Sequence, residues 1–133
     1  MALPRLKESN LSIPQVIKVI ENGLPVATFT KIKNDLGLPD KELASFIRVP
    51  KSTLAVRKKK GKFSFEESER LYRVQRLFEK AVDVFGDIKS ARKWLKEKAH
   101  GLGDIAPLEF ARTEIGAREV EDLLGRIEHG VFS

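Results

Sequence analysis

Apolar residues recur at spacings of three and four along most of this chain, and no stretch alternates apolar and polar positions long enough to make a convincing strand. The spacing predicts an all-α fold, a bundle of short helices. Pro14 opens a first helix with Val16, Ile17 and Ile20 along one side, stopped by Asn22, Gly23 and Pro25. The Asn-Gly pair is also a hairpin signal, but helical spacing on both sides favours a helix C-terminus. Val26, Phe29, Ile32 and Leu36 form the next amphipathic face, which ends at Gly37. Asp40 is placed to cap a short helix with Leu43, Ala44 and Ile47 on one face, and Pro50 opens another in which Leu54 is the main apolar anchor. Residues 1–13 carry little pattern beyond Leu11 and Ile13 and are expected to be loose.

Ser64 followed by Glu67 is a capping box, and it starts the longest helix, with Leu71, Val74, Phe78, Ala81, Val82 and Phe85 inward and Gly86 as its stop. Asp87 caps a helix bearing Ile88, Ala91, Trp94 and Leu95, whose other faces carry Lys89, Arg92, Lys93 and Lys96. A turn from His100 to Asp104 leads to a short helix begun by Pro107, with Leu108, Phe110 and Ala111, which Thr113 to Gly116 should break. Val120, Leu123, Leu124 and Ile127 make the stripe of the last helix, closed by Gly130. The natural division is a region over residues 1–63 and a second over 64–133 that begins with the long connecting helix.

Two short helices joined by a tight turn, within GLPDKELASFIRVPKSTLAVRKKKGK from Gly37 to Lys62, have the form of a DNA-binding helix-turn-helix. Ala44 is small where a second helix must cross, and Arg48 fills a turn position more often taken by glycine, where a left-handed backbone costs about 1 kcal/mol. The late apolar position of the second helix is Arg57, with Val56 beside it.

Charge sharpens the picture. Arg48, Lys51, Arg57, Lys58, Lys59, Lys60 and Lys62 fall in a window without an acid, while the whole chain sums to only +6. Such concentration is the footprint of phosphate binding, where the bland reading is a solvated lysine-rich helix end favoured by the macrodipole. Lys51, Ser52 and Thr53 would lead into a groove, and Arg57, Lys58, Lys59, Lys60 and Lys62 would meet phosphates. One such helix reads few bases, so a homodimer on half-sites about 34 Å apart is expected.

The 133 residues contain no cysteine, which removes disulfides and thiolate chemistry, and neither His100 nor His129 stands at metal-ligand spacing. No phosphate-cradling glycine loop or nucleophile motif is present, so no enzyme, metal or cofactor is expected. Without a signal-like or membrane-length apolar run, the expectation is a cytoplasmic protein. At the far end, Val131 and Phe132 lie beyond the helix stop, in a segment from 113 to 133 with five acids against two arginines. That pattern suits a protein contact, and equally a tail folded on its own core.

The C-terminal half resembles the Xre/MbcA/ParS antitoxins, partners of RES-domain toxins. The likeness runs through AVDVFG (Ala81 to Gly86), ARKWL around Trp94, Leu102 and Gly103, Ala106 to Leu108, Thr113, GAREV (Gly116 to Val120) and LGRIEHGV (Leu124 to Val131). The helix-turn-helix, its basic hinge and the following EESERLYR look similar to the same family's DNA-binding half. The resemblance implies an antitoxin that neutralises a NAD-degrading RES toxin and represses its own operon. By it, toxin contact falls on Trp94, Arg126, Gly130, Val131, Phe132 and Ser133, with Trp94 also a natural core residue. The alternative is a free-standing transcriptional regulator whose second half senses a small ligand.

Overall fold

The computed structural model describes residues 11–130. Among these it has eight α-helices and one 3-10 turn: α1 (Ile13–Asn22), α2 (Val26–Leu36), α3 (Asp40–Phe46), α4 (Lys51–Lys60), α5 (Phe65–Phe85), α6 (Ile88–Lys96), the turn His100–Leu102, α7 (Pro107–Phe110) and α8 (Glu114–Glu128). Extended pairing among the described residues is confined to two isolated bridges, Pro25 with Lys62 and Ala99 with Ile105, so the all-α expectation holds.

The chain divides into two compact units, one up to Tyr72 and one from Arg73, so the division falls inside α5 and not at its start. The reason is chemical. The first turns of α5 bond into the first unit: Ser68 Oγ accepts the buried Leu24 N–H at 2.8 Å, and Arg70 Nη1 donates to Ile47 O at 2.9 Å.

In the first unit, α1 begins with a full capping box, since Gln15 N donates to Ser12 Oγ and Ser12 N to Gln15 Oε1. Order therefore starts earlier than the pattern suggests. Val16 and Ile20 face inward, whereas Ile17 is 49% exposed, because adjacent helical positions lie about 100° apart and cannot share a narrow face. Phe29, Ile32 and Leu36 of α2 meet Leu43, Ala44, Ile47, Leu54, Phe63 and Leu71 in one buried core. The rings of Phe29 and Phe63 lie 5.6 Å apart. The chain leaving α4 is clipped beside the entry to α2 by Val26 N to Gly61 O and Phe63 N to Leu24 O. Gly23 is required there: at φ +94, an added Cβ would lie 2.3 Å from Phe63 O.

The second unit packs Val74, Leu77, Phe78 and Ala81 of α5 in a core with Ala91, Leu95, Leu102, Leu108, Ala117, Val120 and Leu124. Leu77 takes an inward place not assigned to it from the pattern, and Val82 and Phe85 are only half-buried. Ile88, expected inward, is 44% exposed. Asp87 caps α6 as expected, accepting Ser90 N at 2.7 Å. Thr113 does not simply break the chain. It caps α8 by accepting Gly116 N at 3.0 Å, and Gly116 already lies within the helix, where a Cβ would sit 1.7 Å from Phe110 O. The buried line of α8 accordingly runs Gly116, Ala117, Val120, Leu124, with Leu123 and Ile127 half-buried. Arg73 and Arg76 of α5 add ion pairs to Glu114 and Glu121 of α8, at 3.1 and 2.6 Å.

Candidate nucleic-acid interface and partner-binding half

Helices α3 and α4 are joined by a turn in which Arg48 adopts φ +58, so the left-handed conformation usual for glycine at that position is kept with an arginine in it, where arginine in place of glycine points to a turn of different shape. The turn is closed by Arg48 N to Ser45 O and Val49 N to Ala44 O, and the Arg70 guanidinium holds Ile47 O from outside it. Pro50 is the residue before α4, extended at φ −62, and the helix starts at Lys51. Asp40 is not the cap of α3. Pro39 occupies that place without a side-chain bond, and Asp40 is the first helical residue, its carboxylate turned to two lysines.

Leu54 is the only residue of α4 that is buried, so apolar packing alone gives this helix a thin seat. A second anchor stands at Arg57, where the expected apolar residue is missing. Its Nε and Nη2 donate to Glu67 Oε1 and Oε2 at 2.7 and 3.2 Å, a bidentate pair from α4 to the first turn of α5. Glu67 also accepts Ser64 N at 2.9 Å, completing the capping box, so one carboxylate fixes both helices. Burial opposes ionisation of Glu67, but the Arg57 guanidinium and the Ser64 N–H outweigh it and hold the carboxyl below the usual glutamate range. Arg57 is correspondingly held above its ordinary value by its bond to Glu67.

Lys51, Ser52, Lys58, Lys59, Lys60 and Lys62 are exposed and Thr53 is half-buried. The surface beside them is an open groove of about 810 Å³ between α3 and α4. Its floor is apolar, with Ala44, Val49, Pro50, Leu54 and Ala55, and its rim carries Lys41, Arg48, Lys51 and Lys58 against the single acid Asp40. Lys41, Ser45 and Arg48 are the lining residues that sequence reasoning did not count as contacts. Their signal lay in register, since Lys41 and Ser45 stand one turn apart on α3 and Arg48 follows in the turn that leads to α4. Arg57 points away from this rim, into its pair with Glu67, and Lys58 is paired with Asp40. Lys51, Lys59, Lys60 and Lys62 have no ion pair among the described residues.

In the second unit, Trp94 is half-buried, its ring 5.4 Å from that of Phe85. Arg126 lines a separate cleft of about 390 Å³ with Lys80, Glu121, Asp122, Gly125 and His129, and Trp94 does not reach it. The Nε of Arg126 is buried without a hydrogen-bond partner among the described residues. Gly130 follows α8 at φ +70 and is exposed, its N–H donating to Ile127 O. Val131, Phe132 and Ser133 lie outside the described residues. No group of three His, Cys, Asp or Glu side chains among the described residues is arranged to hold a metal ion.

Two family models divide the chain along similar lines. Residues 15–76 match the antitoxin Xre-like helix-turn-helix domain, and residues 80–130 match the antitoxin Xre/MbcA/ParS C-terminal toxin-binding domain. An antitoxin Xre of Photorhabdus laumondii is 36% identical over 122 residues, covering 90% of this chain and 82% of that protein. The chain belongs to the Xre antitoxin family. A Yersinia enterocolitica antitoxin Xre is 38% identical over 120 residues (89% and 81% of the two chains), and one from Pseudomonas putida 29% identical over 115 residues (86% and 64%). This Xre-type antitoxin therefore combines a DNA-binding helix-turn-helix with a toxin-binding domain, and acts by binding, not catalysis. Trp94, Arg126 and Gly130 all fall within the toxin-binding match, and α4 with its Glu67 anchor falls within the other. No helix among the described residues is long and apolar enough to cross a membrane.

Proposed function

We propose that this antitoxin neutralises a RES-domain toxin that degrades NAD, its segment from Gly130 to Ser133 covering the toxin's active site, and represses its own operon as a cytoplasmic homodimer. The observation that carries the reading is the coexistence, in one chain, of an acid-poor basic helix seated on a helix-turn-helix and a separately built toxin-binding domain. Lys51, Ser52 and Thr53, at the start of α4, are assigned to base edges, and Lys59, Lys60 and Lys62 to phosphates. Lys41 and Arg48 join the phosphate set from the groove rim. Arg57 is reassigned: its guanidinium is committed to Glu67, and its role is to seat the helix. The homodimer follows from the few bases that one such helix can read.

On the partner side, Arg126 and the glycine-hinged end of α8 form the contact, with Trp94 as a separate contact. The acids of α8 favour a basic toxin surface. The test is a NAD-hydrolysis assay of a RES-domain protein encoded beside this gene, titrated with the full chain. Stoichiometric loss of activity is expected. Full activity at saturating chain, with operator binding intact, would instead favour a free-standing regulator.

A further inference from the structure

One acid stands where the DNA reading wants none. Asp40 Oδ2 receives Lys58 Nζ at 2.5 Å and Asp40 Oδ1 receives Lys33 Nζ at 3.0 Å, so a single carboxylate ties a lysine of the DNA-facing helix to one of α2. All three side chains are partly exposed, at 35% for Asp40, 46% for Lys58 and 30% for Lys33, and an ion pair in that setting contributes little to folding. Helix α3 does not need this acid in its first turn for its dipole either, because Glu42 is there too. Among the described residues, Asp40 is also the only acid on the rim of the groove that Lys41, Arg48, Lys51 and Lys58 otherwise make cationic.

A carboxylate that offers one oxygen to each of two ammonium groups uses the same bonds that two oxygens of a backbone phosphate would use. We propose that Asp40 is an intramolecular competitor for DNA phosphate, holding Lys58 and Lys33 in a partly neutralised cluster that a duplex must break to engage them. The proposal rests on the reading of α4 as the DNA-facing helix. Its consequence is weak sequence-independent attraction, since that attraction is almost wholly a matter of available cations. Binding then depends more on base contacts from the start of α4, and the ratio of specific to non-specific affinity is protected.

The experiment is a fluorescence-anisotropy titration of the full chain against two 30-bp duplexes, one from upstream of its own gene and one of shuffled sequence, at several salt concentrations. Asp40→Asn should tighten binding to the shuffled duplex by roughly three- to fivefold for each freed lysine and steepen the log-log salt slope by about 0.9 for each. In the Lys33→Ala/Lys58→Ala background the same substitution should change neither quantity. Lys58→Ala alone should weaken the parent less than it weakens the Asp40→Asn protein. An unchanged slope in Asp40→Asn, or an effect that persists without the two lysines, would overturn the proposal and assign Asp40 to the helix dipole. Should Asp40→Asn fail to fold, equal loss of affinity and slope from Lys58→Ala and Lys59→Ala in the parent would overturn it, and a smaller loss from Lys58→Ala would support it. A parent that binds neither duplex would remove the DNA reading itself.

Discussion

Helix α4, the proposed DNA-facing element, and helix α8, within the toxin-binding domain, are held in place by opposite means. α4 buries Leu54 alone and is basic throughout its last turn, so its second anchor is the Arg57–Glu67 ion pair. α8 buries Gly116, Ala117, Val120 and Leu124 in a continuous line, and its ion pairs to Arg73 and Arg76 are additions to a seat made by packing. The difference follows from what each helix must expose. A helix that presents polar and basic groups over most of its circumference has few positions left to bury, and a buried-side guanidinium keeps it seated without placing an apolar residue beside the phosphates. The DNA-facing helix should therefore answer to charge and pH, and the toxin-binding helix to volume.

The largest effects are expected where volume matters. Leu124→Ala should destabilise the second unit by about 2 to 5 kcal/mol, the range for truncating a fully buried leucine, and Gly116→Ala should act in the same direction because its Cβ would meet the rigid Phe110 carbonyl. Denaturant unfolding followed by toxin inhibition checks both, with DNA binding expected to survive. An unfolding midpoint unmoved by Leu124→Ala would show that α8 is not held by packing.

Glu67→Gln is the corresponding test for α4. Glutamine can still serve in a capping box, so the substitution isolates the ion pair. We expect a loss of about 1 to 2 kcal/mol, less than for a fully buried pair because both groups touch water, together with weaker operator binding from a residue that does not face DNA. The pH dependence has a definite sign. Glu67 is held below its ordinary value in the folded protein, so its contribution is complete above that ordinary value and disappears as pH falls through it toward the lowered one. Asp40, lowered by its bonds to Lys58 and then Lys33, acts in the same direction more weakly. Acid titration should loosen the first unit in the parent and do so less in Glu67→Gln, as read by unfolding midpoints at several pH values.

The smallest effect on folding should come from the outer face of α4. Lys59→Ala and Lys60→Ala should leave stability within about 0.5 kcal/mol and reduce the salt slope of DNA binding by about 0.9 each. A salt titration that left the slope intact would move the phosphate contacts elsewhere on the first unit.

Helix existence, order and most stops were legible because the apolar spacing, Pro14, Pro107 and the glycines at Gly37 and Gly86 act locally. The position of the turn at Arg48 was legible for the same reason, but its left-handed backbone was not, because arginine there argued for a different shape. What periodicity could not give was the partner of each charge. Arg57 and Lys58 are neighbours in a uniformly basic run, yet one meets Glu67 and the other Asp40, and only the fold decides which lysines stay available to a phosphate. Gly116 similarly looked like a helix breaker, because its role depends on a carbonyl brought close by the α7–α8 corner. The toxin contact was reached through resemblance alone, and no spacing rule would have separated Arg126 from other surface arginines.

The central claim, that one chain holds DNA and toxin through separately built surfaces, is tested most directly by a double dissociation. Two variants would be compared with the parent, one carrying Lys51→Ala, Lys59→Ala and Lys60→Ala and one lacking residues 130–133, each co-expressed with the neighbouring toxin and each purified for mobility-shift titration. The account predicts that the lysine variant loses operator binding and still restores growth and cellular NAD, while the truncated chain keeps operator binding and fails to rescue. Full rescue by the truncated chain, or loss of both activities in either variant, would contradict it.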